Sequence, residues 1–555
     1  MRALQGRIER VSLGYVTYNI ADLYESIADV VPNRSAVVSG PVELTYAELD
    51  ARANRLAHFL AERGIGPGQH IGLHLWNGHE FLEAMLAAFK LRAVPININY
   101  RYVAEELHYL CDNADLVALL TQSEYAQTMR DVRADLPKAH TTIVLGGDTA
   151  TALHADEFHY EEIQRTGNPE RDFGPRSGDD LYIVYTGGTT GKPKGVMWRH
   201  EDVFFAGLQG GNPGGAPIER PEQLAANVAA ASSMPLTFLP AAPLIHGAAQ
   251  WAALIALFGG GRVVLQPGRS FNAPLVAELI ERQKVNTLTL VGDAMARPFV
   301  DAVSGDRSYD LSSLFVVSSA GAVFSPAVRT QFKARLPNIF LINSFGSTEA
   351  GHQGSAFHGT ANETGHEGRP SFMMDATSTV LDDDRRPIEP GSGKMGWLAR
   401  SGRLPVGYYN EPQLTAQRFI TVDGRRWVMP GDCATIEKDG RITIFGRGSV
   451  CINTGGEKVF PEEIEEVLKS HEAVFDAVVV GVEDAEWMQR VAAVVEMRPN
   501  LRVTLEELQL HCRQHVAGYK VPRLLKLVDK VQRFPSGKPD YSWAKEVASE
   551  STQHV

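Results

Sequence analysis

The stretch Tyr185-Thr-Gly-Gly-Thr-Thr-Gly-Lys-Pro-Lys-Gly-Val196 decides how this chain is read. The apolar run 181–184 precedes it and reads as a buried strand. Residues 186–191 hold three glycines and three threonines, so backbone N–H groups and hydroxyls are free to surround an anion. Lys192 and Lys194 add positive charge. Such a loop is suited to phosphate. It is not a Walker P-loop: Thr186 stands where the first glycine is required, and Pro193 follows Lys192 in place of Ser or Thr. Pro193 also prevents a helix from running on through the lysine.

The totals bound the function class. With 555 residues, two or more domains are expected, and 44% apolar residues are ample for their cores. A formal net charge of −12 argues against nucleic acid as the main partner, while a local nest can still bind ATP. The four cysteines, at 111, 433, 451 and 512, form no C-x-x-C, which fits a reducing compartment without a disulfide framework or zinc site. No run approaches the ~18 apolar residues of a membrane span, and the first ten residues lack an apolar signal core. A soluble cytoplasmic enzyme without integral membrane contact is expected, and a homodimer is compatible with the sequence.

Helical and strand-like patterns alternate. Residues 46–62 read as a helix, 71–75 as a strand, 80–89 as a helix and 94–98 as a strand ending near Asn97 and Asn99. Residues 275–283 and 285–291 repeat the theme, and 315–319, a helix opened by Pro326, and 339–342 form another β-α-β unit. Residues 207–216 read as a surface loop. The alternation predicts a large N-terminal α/β domain, residues 1–446, of layered and mostly parallel sheets with helices. After about residue 446 the texture changes. Pro461 opens a short acidic helix, strands follow at 477–482 and 491–496, Thr504-Leu-Glu-Glu507 makes a capping box for a helix ending at Gly518, and 525–531 is a last strand. Residues 447–555 therefore read as a small α+β unit, a separate lid, for which the resemblance named below implies mobility about a hinge near 447–450.

Further motifs follow in order: Asn343-Ser-Phe-Gly-Ser-Thr-Glu349, Ser319-Ala-Gly-Ala322, Trp427-Val-Met-Pro-Gly-Asp432, Phe445-Gly-Arg-Gly448 and Pro535-Ser-Gly-Lys-Pro539. Together with the 185–196 stretch they resemble the adenylate-forming superfamily of acyl-CoA synthetases, peptide-synthetase adenylation domains and luciferases. The resemblance runs from about Asn19 to Trp543. It implies that Thr186, Gly187, Gly188, Thr189, Thr190, Gly191 and Lys194 hold the phosphates of ATP. It implies that Thr348 contacts the α-phosphate and Glu349 binds Mg²⁺, with Phe345 where the family often has Tyr. A hard carboxylate oxygen suits Mg²⁺, which keeps several waters and needs only one or two protein carboxylates. By the same resemblance Gly321 and Ala322 cradle adenine with backbone, Asp432 accepts hydrogen bonds from the ribose hydroxyls, and Arg447 contacts ribose. Lys538 is the implied catalytic lysine, neutralising charge on the carboxylate and α-phosphate oxygens during adenylation. Taken singly, a Thr-Glu pair is usually a helix cap, Pro-Gly a turn, and a Gly-Lys near a terminus a solvated loop.

His246, in Ala242-Pro-Leu-Ile-His-Gly247, resembles a gate beside the acyl pocket, and a histidine between apolar residues is equally a satisfied core group. Gly455 and Gly456 resemble the face that takes coenzyme A, where glycine lets pantetheine run close to the chain. Ser449 departs from the family, which usually has Asp or Lys at its hinge. A Ser-His-Asp hydrolase is poorly supported, since no serine fits G-x-S-x-G. The implied activity is an ATP-dependent ligation of a carboxylic acid, a steroid side-chain acid being favoured, to CoA with release of AMP and pyrophosphate. Met197-Trp-Arg-His-Glu-Asp202, Val291-Gly-Asp-Ala-Met-Ala-Arg-Pro298 and Gly518-Tyr-Lys-Val-Pro-Arg523 resemble the actinobacterial synthetases that activate sterol side-chain acids. Small residues at Ala248, Ala249 and Ala252 either leave room for a bulky acyl group or simply pack a helix. Medium- or long-chain fatty acids, or loading of a separate carrier protein, are the alternatives.

Overall fold

The computed structural model describes residues 16–147, 153–188, 191–231, 235–357, 371–454, 457–484, 488–534 and 537–550. Thr189, Thr190, Gly455 and Gly456 lie outside the described residues. The chain forms two compact units: residues 1–186, 194–269 and 405–412 make one, and 187–193, 270–404 and 413–555 the other.

The first unit carries the alternating pattern. Five parallel strands lie in the order Val94–Asn97, His70–His74, Leu116–Gln122, Thr141–Leu145 and Glu157–His159. The helices Tyr46–Ala61 and His79–Lys90 stand within a residue of their predicted starts. Thr45 and Glu48 close a capping box that starts the former, which satisfies two helix N–H groups at once. In a second group of strands, Ser35–Ser39 pairs parallel with Arg262–Leu265, which pairs parallel with Thr237–Pro240.

The signature stretch is more regular than a loop. Leu181–Gly188 and Gly191–Arg199 are neighbouring strands, and Gly407–Tyr408 pairs antiparallel with the second. Ile183 and Tyr185 bury their side chains in one core with Val94, Ile96, Leu119 and Met129. Gly195 is required here, because a Cβ would come within 2.6 Å of the Tyr185 ring. Asn97 holds the strand end in place. Its Nδ2 donates to the carbonyls of Tyr185 at 2.8 Å and Ile245 at 2.6 Å, and its Oδ1 accepts from the Tyr185 N–H at 2.8 Å. One buried amide thus ties three separate chain segments together.

The second unit begins with three parallel strands, Thr287–Leu290, Val316–Ser319 and Phe340–Ser347. Beyond them the pairing turns antiparallel through Gly351–Phe357, Ser371–Met374, Ile442–Arg447, Asp432–Ile436 and Gly396–Ser401. The last hundred residues centre on Val474–Asp484 paired antiparallel with Met488–Met497, flanked by Leu524–Val528 in parallel. Valines alternate between two cores: Val479 and Val491 face one, and Val478, Val480 and Val494 face the other with Ala544 and Ala548 of the helix Tyr541–Ser549. A strand covered on both faces reads as the near-continuous apolar run seen here. One boundary differs from expectation. The helix capped by Thr504 ends at Arg513, not Gly518; the chain leaves it at Gln514, and Gly518–Lys520 forms a separate tight turn in which Lys520 reaches Glu463 at 2.8 Å.

Replacing Asn97 by Leu leaves the Tyr185 and Ile245 groups unpaired in the interior. Unsatisfied buried groups cost about 1–3 kcal/mol each, so a loss on the order of 3 kcal/mol is expected. A urea titration should show a lowered midpoint at an unchanged slope.

Candidate active site

The predicted Thr348 and Glu349 sit in the turn between two antiparallel strands, Phe340–Ser347 and Gly351–Phe357. This is a hairpin turn and not a helix cap. Gly346 permits its closeness, since a Cβ there would lie 2.3 Å from the Gly351 carbonyl oxygen. Phe345 packs its ring on Phe372, centroids 5.3 Å apart. A residue absent from the motif braces the far side of the turn. Buried Arg400 donates through Nη1 to the carbonyls of Ala350 and His352, and lies 3.2 Å from Asp375 through Nη2. Burial lowers the Arg400 pKa while Asp375 supports its charge.

Asp432 and Arg447 are directly opposed across two paired strands. Their side chains meet with Nε 3.4 Å from Oδ1. The sequence placed them fifteen residues apart as two separate motifs, and the ladder register makes them one. Just past them, Gly448 is forced by the Trp397 ring, which a Cβ would approach within 2.6 Å, and Ser449 lies in the short turn Gly448–Val450. Glu462 lies behind this pair. The site of a Cβ on Gly446 is 2.5 Å from its Oε2, an atom shielded from water and without a hydrogen bond. Burial pushes the Glu462 carboxyl up to about 8, repulsion from Glu465 adds to this, and the backbone N–H groups of Glu462 and Arg447 pull it back. In sequence it reads as an ordinary acid in the first turn of a helix; its neutral state is a tertiary property.

Lys538 follows a tight turn in which the Gly537 N–H donates to the Phe534 carbonyl at 2.8 Å and the Phe534 N–H to the Lys538 carbonyl at 2.9 Å. Gly537 has φ +75 and approaches Val291 so closely that a Cβ would stand 2.9 Å from its side chain. Arg533 locks the turn. It donates to the Gly537 carbonyl at 3.0 Å and bidentately to Asp476 at 2.6 and 2.7 Å. Burial lowers the Lys538 pKa and the Arg447 charge lowers it further, while Glu349 and Asp432 favour its protonated form. Lys538, Arg447, Asp432 and Glu349, drawn from four separate motifs, therefore share one electrostatic neighbourhood.

Gly321, at φ +80, and Ala322 leave the end of the strand Val316–Ser319. They face Gly292, where a Cβ would be 2.7 Å from that of Ala322. Thr186, Lys194 and His246 belong to the first unit. Thr186 continues the strand from Tyr185, and Gly187, Gly188 and Gly191 are the strand residues flanking Thr189 and Thr190. His246 precedes the helix Gly247–Phe258, its carbonyl accepting from the N–H of Ala249 and Gln250. Asn97 joins the segment before it to Tyr185. Of the three small residues beside it, Ala249 is buried, Ala252 half-buried and Ala248 exposed.

Two family models match the chain: that of the AMP-binding enzymes over residues 24–404, and that of their C-terminal domain over 463–538. The chain belongs to the AMP-binding enzyme family. As such an enzyme it is 47% identical over 536 residues to a 3-oxocholest-4-en-26-oate–CoA ligase of Rhodococcus rhodochrous, covering 95% of each chain. It is 47% identical to a medium/long-chain-fatty-acid–CoA/3-oxocholest-4-en-26-oate–CoA ligase of Mycobacterium tuberculosis, covering 96% of each. It is 37% identical to the medium-chain acyl-CoA ligase Mig of Mycobacterium avium, over 96% of this chain and 98% of that one. Among solved structures, an anthranilate CoA ligase in complex with anthranoyl-AMP shares the fold, with a TM-score of 0.82 at 22% identity over 97% of this chain and 98% of that one.

Asn97, Arg400 and Arg533 escaped the sequence reading. Asn97 gave a faint signal, an amide at the end of an apolar run. The two arginines gave none, because the Ala350 and His352 carbonyls that Arg400 holds and the Asp476 carboxylate that Arg533 holds are brought near only by folding.

Glu462 yields a pH prediction. The folded protein keeps its proton to about pH 8, whereas the unfolded carboxyl loses it near its ordinary 4.5. Between these values the folded state binds more protons, so this group's contribution to stability falls as pH rises. Urea midpoints measured from pH 5 to 8 should decline less steeply in Glu462→Gln than in the wild type.

Proposed function

We propose that this AMP-binding enzyme activates a carboxylic acid with ATP and passes the acyl group to coenzyme A, releasing pyrophosphate and AMP. The observation that carries this reading is the gathering of Lys538, Arg447, Asp432 and Glu349 around one place in the second unit. A carboxylate is a poor electrophile. Attack on the α-phosphate converts its oxygen into a leaving group, and negative charge builds on the carboxylate and phosphate oxygens on the way. Lys538 supplies an ammonium there, held on a rigid turn so that little reorganisation is needed. Such a preorganised donor contributes about 3–4 kcal/mol, or a few hundredfold in rate. Asp432 would accept from ribose hydroxyls, with Arg447 beside it.

No cluster of three acidic, His or Cys side chains able to hold a metal exists among the described residues. A single carboxylate at Glu349 still fits Mg²⁺, a cation held largely by water and phosphate oxygens. Bound there, the ion would offset phosphate charge. Gly455 and Gly456 are proposed for the CoA face from the resemblance alone. The four cysteines are free thiols and no described helix is long and apolar enough to cross a membrane, which supports a reducing, cytoplasmic setting.

For the acid, we favour a steroid side-chain carboxylate. The support is the 47% identity to relatives named for 3-oxocholest-4-en-26-oate. Medium- and long-chain fatty acids are the second reading, favoured by the double name of the mycobacterial relative and by Mig. A CoA-dependent AMP-release screen across both acid classes should give the highest kcat/KM on a steroid acid; release with none of the acids would refute the ligase reading, and release with fatty acids alone would refute the steroid preference.

Lys538→Ala should slow acid-dependent pyrophosphate release by about two to three orders of magnitude. Thioester formation from a supplied acyl-adenylate should be spared. The rate of the first step should also fall on the alkaline side at a pH below the 10.5 of an ordinary lysine, because the depressed pKa costs Lys538 its charge earlier. An alkaline limb at or above that value would contradict the assigned role.

A further inference from the structure

The stretch Val291–Pro298, singled out in the sequence, has no part in the chemistry so far. It opens the helix Gly292–Ser304, and it meets the C-terminal segment at three points. Val291 supports Gly537, the neighbour of Lys538, at a separation that only glycine allows. Asp293 Oδ2 lies 3.6 Å from Lys469 Nζ, on the helix Pro461–Ser470, and 3.8 Å from Arg297 Nη2. Arg297 Nη2 also lies 3.4 Å from the Lys469 carbonyl. Asp293, Arg297 and Lys469 are only 6, 4 and 5% exposed. At the outer edge Asp301 meets Arg498 at 3.4 Å in a solvated pair. The two carboxylate oxygens of Asp293 have separate tasks: Oδ1 accepts from the Ser325 N–H at 2.9 Å, and Oδ2 takes no hydrogen bond and faces the two cations. Glu465 and Asp476 complete the charges facing Lys469 from its own side.

The geometry points to Asp293, Arg297 and Lys469 as a latch, a set of positioning residues that holds the segment after Arg447 with Lys538 turned toward Glu349, Asp432 and Arg447. The inference rests on the proposed two-step reaction, in which Lys538 serves the first step. Buried charges persist only while paired, since an unpaired one carries its full desolvation penalty. Parted, these groups would be hydrated instead. The arrangement is thus stable closed and tolerable open, and the charge balance sets the share of each. Removing the Asp293 charge leaves Arg297 and Lys469 facing each other in the closed form alone.

Asp293→Asn is the informative variant, because its Oδ1 still accepts from Ser325. It should slow acid-dependent pyrophosphate release by about tenfold or more and leave thioester formation from supplied acyl-adenylate within about twofold. Adding Lys469→Met removes one of the two stranded cations and should recover much of the loss. Equal loss in both steps, or no recovery in the double variant, would mean a merely structural role and overturn the latch. Spin labels at Ser304→Cys and Glu472→Cys give a readout without catalysis: the distance should lengthen or broaden in Asp293→Asn, and an unchanged distribution sinks the inference. If Asp293→Asn does not fold, Lys469→Met alone must change that distribution. Wild-type protein that releases no pyrophosphate with any acid refutes the proposed function, and the label distance then still judges the latch.

Discussion

The proposed chemistry depends on keeping an ammonium group charged in a partly dehydrated place. Burial and the neighbouring Arg447 both work against the Lys538 charge, and Glu349 and Asp432 work for it. Neither acid is there for the lysine alone. In the proposed reaction one holds a metal ion and the other a ribose. The lysine's field therefore changes as substrates arrive, and a negatively charged triphosphate would strengthen it further. A lysine solvated at the surface would be charged without any of this help, and would gain little from meeting a phosphate.

Rigidity comes from groups that do no chemistry. Arg533 fixes the Lys538 turn against Asp476, Arg400 pins the carbonyls behind Thr348 and Glu349, and Asn97 ties the strand of the signature to the segment before His246. Each spends a polar side chain on backbone groups of another part of the chain or of the next turn. Hydrogen bonds to charged donors are worth about 1.5–3 kcal/mol, and losing one leaves a buried acceptor unpaired. That makes such braces more costly to lose than their surface neighbours.

The contacts between the helix Gly292–Ser304 and the C-terminal segment are of another kind. Those described are ionic and are flanked by a glycine contact. The cores on the two faces of the strand Val474–Asp484 are apolar by contrast, one of valine and alanine and the other of valine, alanine, leucine and isoleucine with Cys512. In the proposed latch such ionic contacts suit a surface that separates, because exposing apolar area again costs about 25 cal/mol for each Å².

The sequence by itself determined the alternating helices and strands of the first half, the cap at Thr504, and the motifs of the family, because these rest on periodicity and on neighbours a few residues apart. It showed Asp432 and Arg447 only as two separate residues, and the 185–196 stretch only as a loop. Tertiary structure decided that Asp432 and Arg447 face each other across a ladder, that residues 185–188 and 191–196 belong to strands, that Thr348 and Glu349 occupy a hairpin turn, and that Glu462 is neutral. It alone recruited Asn97, Arg400, Arg533 and Asp293. The reason is physical: hydrogen bonds to backbone carbonyls and the dehydration of a carboxyl depend on which segments meet in space. No local pattern of side chains records that meeting.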